Sequence, residues 1–205
     1  MPRISPQYEQ ARKDTIIAGA AQVFADRGYE QATIDQIAQY LHLSKGAIYI
    51  YFKSKEELFV SVLQSIYEQR FTLLSSAFQA GDPVQVKFEK MIDRLGGLVS
   101  RQDRVFIRLW IEGFLESEQI PALHAIKTAS RRQFQDMLSG LLLEGQHIGQ
   151  IDPHLDPSDT AATLMALMDG FMLHSLVEGW DIGPEKVERI LRAGLSNLIS
   201  LAGGR

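Results

Sequence analysis

No cysteine occurs among the 205 residues, which excludes a disulfide framework and a thiol nucleophile. A Gly-x-Ser-x-Gly elbow, a phosphate-loop pattern and a His-Glu-x-x-His pair are equally missing, so the common hydrolytic and phosphoryl-transfer chemistries have no carrier. The five histidines, His42, His124, His147, His154 and His174, are scattered. His147 and His154 flank Asp152 beside a proline turn without a convincing metal-ligand spacing. The chain is therefore expected to be no enzyme and to hold neither cofactor nor metal. No stretch approaches about 18 continuous apolar residues and no early apolar run resembles a secretory signal, so a cytoplasmic protein without a membrane span is expected. The 7 prolines and 16 glycines punctuate the chain rather than cluster. Strong charge of either sign is lacking too: the formal net charge is −4, and residues 1–60 carry seven Lys/Arg against seven Asp/Glu. Bulk charge makes no case for a nucleic-acid partner, so any such case rests on where the charges stand.

What the chain does have is apolar residues at helical spacing. Its 45% hydrophobic content suffices for a sizeable core. From Lys55 to Gln79, Leu58, Phe59, Val62, Leu63, Ile66, Tyr67, Phe71, Leu74 and Phe78 recur every three to four residues, which predicts one amphipathic helix ended by Gly81-Asp82-Pro83. Similar signals place helices over 83–100, 103–116, 121–145, 157–180 and 184–202. Asp156-Pro157 is a start signal, with Asp at the N-cap and Pro at the first helical position. The predicted fold class is all-α.

Residues 33–58 carry the most information. Thr33 with Gln36 and Ser54 with Glu57 read as capping boxes, and Ser44 as a third N-cap. Three helix starts would stand close together, with Lys45, Lys53 and Lys55 adding full charges there, a pattern that suits phosphates. Two short helices, Ile34 to Tyr40 and Lys45 to Tyr51, joined by a turn at Leu41 to Leu43, have helix-turn-helix spacing. Ile37, Ala38, Leu41, Leu43, Ile48 and Phe52 suit a small shared core. Lys45, Ala47, Tyr49 and Ile50 fall on the other side, where they would enter a major groove, although Tyr49 also has a reading as a core aromatic. Arg3, Arg12 and Lys13 are placed to join the three lysines on one basic face.

The block Leu43-Ser44-Lys45-Gly46-Ala47-Ile48-Tyr49-Ile50-Tyr51-Phe52-Lys53-Ser54-Lys55-Glu56-Glu57-Leu58 resembles the DNA-binding domain of the tetracycline-repressor (TetR) family of bacterial transcription regulators. Ile17 to Phe24, Arg27-Gly28-Tyr29 and Thr33-Ile34 are similar to the family's first helix and the entry to its second. Three positions depart from the pattern: His42 stands where Gly is common in the turn, Ala47 where Thr is frequent and Ile50 where His is frequent. His tolerates positive φ at a higher cost than Gly, and Ala47 and Ile50 offer apolar contacts of the kind that meet thymine methyls. A relative's operator sequence therefore does not carry over. The resemblance implies a three-helix DNA-binding domain over residues 1–54, followed over 55–205 by a larger helical domain that binds an effector and dimerises. On this reading Lys45, Gly46, Ala47, Tyr49 and Ile50 line the groove, while Thr33, Ser44, Lys53 and Lys55 position the domain on phosphates.

In the larger domain, Val105 to Leu115 is apolar almost all round, which predicts burial inside a bundle. Arg108 and Glu112, four residues apart, either pair with each other or offer a charge to a ligand. Trp110, Phe114, Phe134, Met137, Met165, Met168, Phe171, Met172 and His174 supply large adaptable walls for a cavity, or else pack a core. The effector would be a largely apolar small molecule. Leu164, Leu167, Met168, Phe171 and Leu176, then Val187, Ile190, Leu191, Leu195, Leu198 and Leu201, exceed one core-facing stripe and suggest a partner. The resemblance implies a homodimer through the last two helices, where Gly194 beside Ala193 would permit close approach. The expectation is a ligand-released homodimeric repressor of a pseudo-palindromic operator in double-stranded DNA. The competing reading is an effector-independent helical DNA-binding or architectural protein.

Overall fold

A computed structural model describes residues 5–99, 104–176 and 183–198, with side chains at all of these except 97–99, 184 and 195–198. Of the expected features, Arg3, Leu201, and the side chains of Leu195 and Leu198 lie outside the described residues. The helices are α1 (Pro6–Arg27), α2 (Ile34–Tyr40), α3 (Lys45–Tyr49), α4 (Lys55–Ser75), α5 (Val84–Val99), α6 (Arg104–Glu116), α7 (Pro121–His147), α8 (Pro157–His174) and α9 (Pro184–Leu198). The all-α expectation holds for this family of elements. Three ends fall short of it, α8 among them, which closes at His174 with Ser175 as its C-cap. α3 stops at Tyr49 because the chain tightens, with Tyr51 N–H donating to Ile48 O at 3.0 Å. α4 stops at Ser75, and Asp82 Oδ2 accepts from Gln79 N at 2.8 Å in the turn that follows.

Local chemistry sets the ends. Ser5 Oγ accepts from Tyr8 N at 3.2 Å and Pro6 opens α1, while Gly28 closes it at φ +79°, a conformation that few side chains adopt. Asp156 caps α8 through Asp159 N at 2.8 Å with Pro157 behind it, as the sequence signal requires.

The chain forms two compact units, one of Met1–Glu68 with Arg104–Lys127 and one of Gln69–Asp103 with Thr128–Arg205. In the first, Ile16, Phe24, Ile37 and Ile48 share a core with Leu58, Phe59, Val62 and Leu63 of α4, Leu109 of α6 and Leu123 of α7. The boundary expected at residue 54 therefore does not separate two packed bodies. Gly113 lets α6 approach α4, since a Cβ there would stand 2.5 Å from Leu63 Cδ1. In the second unit, Leu74, Val84, Phe88, Met91, Ile92, Leu142, Ile151 and Leu164 form the core. Val187 and Leu191 of α9 and Leu164 and Phe171 of α8 are buried in it, so these four are not surplus apolar surface. Gly194 sits against Leu167 of the same chain. Of α8, Leu173 remains exposed. No helix among the described residues is long and apolar enough to cross a membrane.

Candidate nucleic-acid interface

The turn between α2 and α3 closes on two hydrogen bonds: Leu43 N–H to Ala38 O at 2.8 Å and His42 N–H to Gln39 O at 3.2 Å. These are the paired bonds of a Schellman motif, which needs a left-handed residue between them. His42 supplies it at φ +54°. Ile37, Ala38, Ile48 and Phe52 are buried and Leu41 and Leu43 pack against them half-buried, so α3 is held by one face.

Its other face looks outward. Lys45, Gly46, Tyr49 and Ile50 are exposed, Ile50 to 76% and Tyr49 to 44%, and Ala47 is half-buried between them. The caps are as spaced. Thr33 Oγ1 accepts from Gln36 N at 3.2 Å while Gln36 Oε1 accepts from Thr33 N at 3.1 Å, and Ser44 Oγ accepts from Ala47 N at 3.1 Å. Each hydroxyl keeps its own O–H as a donor. Ser54 Oγ accepts from Glu57 N at 3.0 Å, but Glu57 returns its carboxylate to Lys53 N at 2.7 Å, one residue earlier than a capping box has it.

The lysines divide. Lys53 is exposed. Lys45 Nζ meets Asp35 Oδ2 at 2.8 Å, linking the first turns of α2 and α3, and that hydrogen bond raises its pKa above the ordinary lysine value. Lys55 points inward: its ammonium donates to Tyr29 O at 2.8 Å and Glu30 O at 3.2 Å and lies 4.4 Å from the Tyr29 ring centroid. The sequence pattern places it on a phosphate; in the structure it holds the chain after α1, because the carbonyls beyond a helix end attract a cation.

Residues 16–62 match the profile of the bacterial regulatory proteins of the tetR family. Residues 94–200, more than half of the chain, match that of the BetI-type transcriptional repressor C-terminal domain. The chain belongs to the TetR family. The HTH-type transcriptional regulator YuxN of Bacillus subtilis is 36% identical over 81 residues, covering 40% of this chain and only 28% of that protein. The HTH-type transcriptional repressor BepR of Brucella suis is 26% identical over 164 residues, 78% of each chain. A crystal structure of a transcriptional regulator from Pseudomonas aeruginosa PAO1 superimposes with a TM-score of 0.80 at 20% identity, over 96% of this chain and 92% of that one, and shows the shared fold. This TetR-family protein is a DNA-binding transcriptional regulator and not an enzyme.

The residues expected to meet an effector are split between the units of this TetR-family chain. Arg108 and Glu112 do not pair with each other among the described contacts. Arg108 Nη1 donates to Ala25 O at 3.0 Å and Glu112 Oε2 accepts from Tyr29 N at 3.0 Å, so both are engaged in fastening α6 to the end of α1. Nor is α6 buried all round, since Phe114 and Leu115 are exposed. Trp110 and Phe114 have ring centroids 6.3 Å apart, and Lys127 lies over the Phe114 ring at 4.3 Å. In the second unit Phe134 meets Phe71 edge-on at 5.4 Å, while Met137, Met168 and Met172 are half-buried against the core that Phe171 completes. His174 is exposed. Sequence reading missed the Lys45–Asp35 pair and the grip of α6 on α1. The latter joins residues 83 apart in the chain, a separation at which no periodic pattern signals contact.

Proposed function

We propose that the protein is a homodimeric, effector-released repressor, each protomer reading one half of a pseudo-palindromic operator. The observation that carries this is the outward face of α3: Ile48 is fully buried while Tyr49 and Ile50 beside it stand in solvent. Large apolar side chains left exposed on a short helix of a DNA-binding turn are suited to base edges and thymine methyls. Lys45, Gly46, Ala47, Tyr49 and Ile50 line the groove. Thr33 and Ser44, through their free O–H groups, and Lys53 through its ammonium hold phosphates. Lys55 supports the head from within. Dimerisation through α8 and α9 is supported by the exposed Leu173. A largely apolar effector suits Phe134, Met137, Met168 and Met172, whose unbranched thioethers adapt to a guest; Trp110 and Phe114 form a separate aromatic candidate. Coupling runs along α4, which supplies Leu58 to Leu63 to one core and Leu74 to the other. A regulator of this kind works in the cytoplasm, where the operator is.

Selecting duplexes from a random library with purified protein and footprinting the winners tests the reading. A twofold-symmetric footprint with half-sites about one helical turn apart is expected. Binding that ignores sequence, or a monomeric folded protein at micromolar concentration in sedimentation, overturns it.

A further inference from the structure

The methionines are unevenly placed. Of the six in the chain, the first unit holds none besides Met1, while Met91, Met137, Met165, Met168 and Met172 all belong to the second. Met91 is 2% exposed inside that unit's core. Met137 on α7 and Met165, Met168 and Met172 on α8 are half-buried against the same core. The α8 positions are three and four residues apart, so their side chains share one face of the helix. The chain has no cysteine to react ahead of them, which makes these four thioethers the sulfur that a two-electron oxidant reaches among the described residues. Half-burial supplies both halves of a responsive site: a small oxidant can approach the side chain from water, and the product still leans on an apolar core.

We propose that Met137, Met165, Met168 and Met172 form an oxidation site for hydrogen peroxide, whose sulfoxides loosen the second unit and leave the reading head chemically untouched. The sulfur lone pair attacks one peroxide oxygen, the O–O bond breaks, and the departing hydroxide takes the proton of the transferred oxygen. One thioether and one hydrogen peroxide thus give one sulfoxide and one water. A flexible apolar side chain becomes a polar one. A core of Leu142, Leu164 and Phe171 offers the new oxygen no donor, and a polar group held there without a hydrogen bond costs stability. The head has neither cysteine nor methionine between residues 5 and 68, so the same oxidant has no sulfur to attack there. Any effect on operator binding rests on the reading that the second unit controls the head.

The test treats the full chain with hydrogen peroxide and compares it before and after by peptide mass spectrometry, hydrogen–deuterium exchange, thermal melting and affinity for a duplex selected from a random library. Each of the four methionines should gain one oxygen while Met91 stays unmodified. Exchange should quicken in α8 and around Met137 but not in α1 to α3, and the melting midpoint should fall by about 5 °C or more. Operator affinity should fall by about fivefold or more. Methionine sulfoxide reductases A and B, which together repair both epimers, should reverse every change. Leucine at all four positions, a substitution that nearly conserves volume, should abolish the loosening; if that variant does not fold, reversal by the reductases on the wild-type chain decides the same point. Four methionines as inert as Met91, sulfoxides that leave exchange and midpoint unmoved, or loosening that persists in the leucine variant would each overturn the proposal. Sulfoxides that loosen the second unit while operator affinity holds support the oxidation site and count instead against control of the head by that unit.

Discussion

Tyr49 and Tyr51 are two residues apart and have opposite surroundings. Tyr51 is half-buried against the first core, whereas Tyr49 is 44% exposed. Tyr49→Ala should therefore reduce affinity for a selected duplex by about tenfold or more, in line with the value of a base contact, and leave the melting curve nearly unmoved; loss of the folded state would make it a core residue. Lys55→Ala should do the reverse. Its charge-assisted hydrogen bond to the Tyr29 carbonyl is partly buried and worth about 1.5–3 kcal/mol, so thermal stability falls while the salt slope of DNA binding stays put. A slope reduced by about one unit would return Lys55 to the phosphates. The outward face of α3 was legible because the period of a short helix separates Ile48 from Tyr49 and Ile50. The inward turn of Lys55 was not, since its acceptors are main-chain carbonyls 25 and 26 residues earlier and carry no side-chain signature.

At the scale of elements, caps and turns were the legible part. The Thr33–Gln36 box, the Ser44 cap and the Asp156-Pro157 start each rest on a few neighbouring residues and appear as spaced. His42 is a non-glycine residue in a left-handed turn, and His42→Gly should raise the unfolding free energy by about 0.5–1 kcal/mol, less than the full left-handed penalty because glycine also loses more chain entropy; an unchanged or lowered denaturation midpoint would count against it. Two of the apolar residues counted as surplus on α9, Val187 and Leu191, turn to their own core, because a hydrophobic stripe does not say which neighbour it meets. Leu191 is 2% exposed and belongs to its own unit's core. Leu191→Glu buries an unpaired charge there, at a cost of several kcal/mol, so circular dichroism should show lost helix rather than sedimentation showing clean folded monomers. Between α7 and α8, burial raises the Asp169 carboxyl above its ordinary value despite Arg131 at 3.5 Å. The native state then holds its proton more tightly than the unfolded chain, so this group's contribution to stability is complete below the ordinary carboxylate pKa and declines as pH rises through the raised one. Asp169→Asn should flatten that decline in denaturation curves taken across the acidic range, and an unaltered pH profile would show that the carboxylate is effectively solvated.

For the whole molecule, two long helices matter most. α4 and α7 each supply buried side chains to both cores: Leu58, Phe59, Val62 and Leu63 against Leu74, and Leu123 against Leu138, Leu141 and Leu142. The all-helical plan was legible from periodicity, but which helices share the first core was not. Nothing in the spacing of Val105 to Leu115 says that Leu109 completes the core of Ile16 and Phe24, or that Arg108 and Glu112 grip the end of α1. If an effector prefers the conformer whose heads are misplaced, linkage requires DNA to weaken effector binding by the same factor that the effector weakens DNA binding. A compound found by thermal-shift screening should therefore show a coupling of about 1–3 kcal/mol in both titrations, one with operator saturating and one with effector saturating. Phe134→Ala should remove that coupling with little change in operator affinity, because Phe134 stands in the second unit beside Phe71. Trp110→Ala should do the same only if the α6 aromatic pair is the wall the effector meets. A compound that binds free and operator-bound protein equally well has no lever on repression, however tightly it is held, and would leave the protein a DNA-binding factor indifferent to that compound.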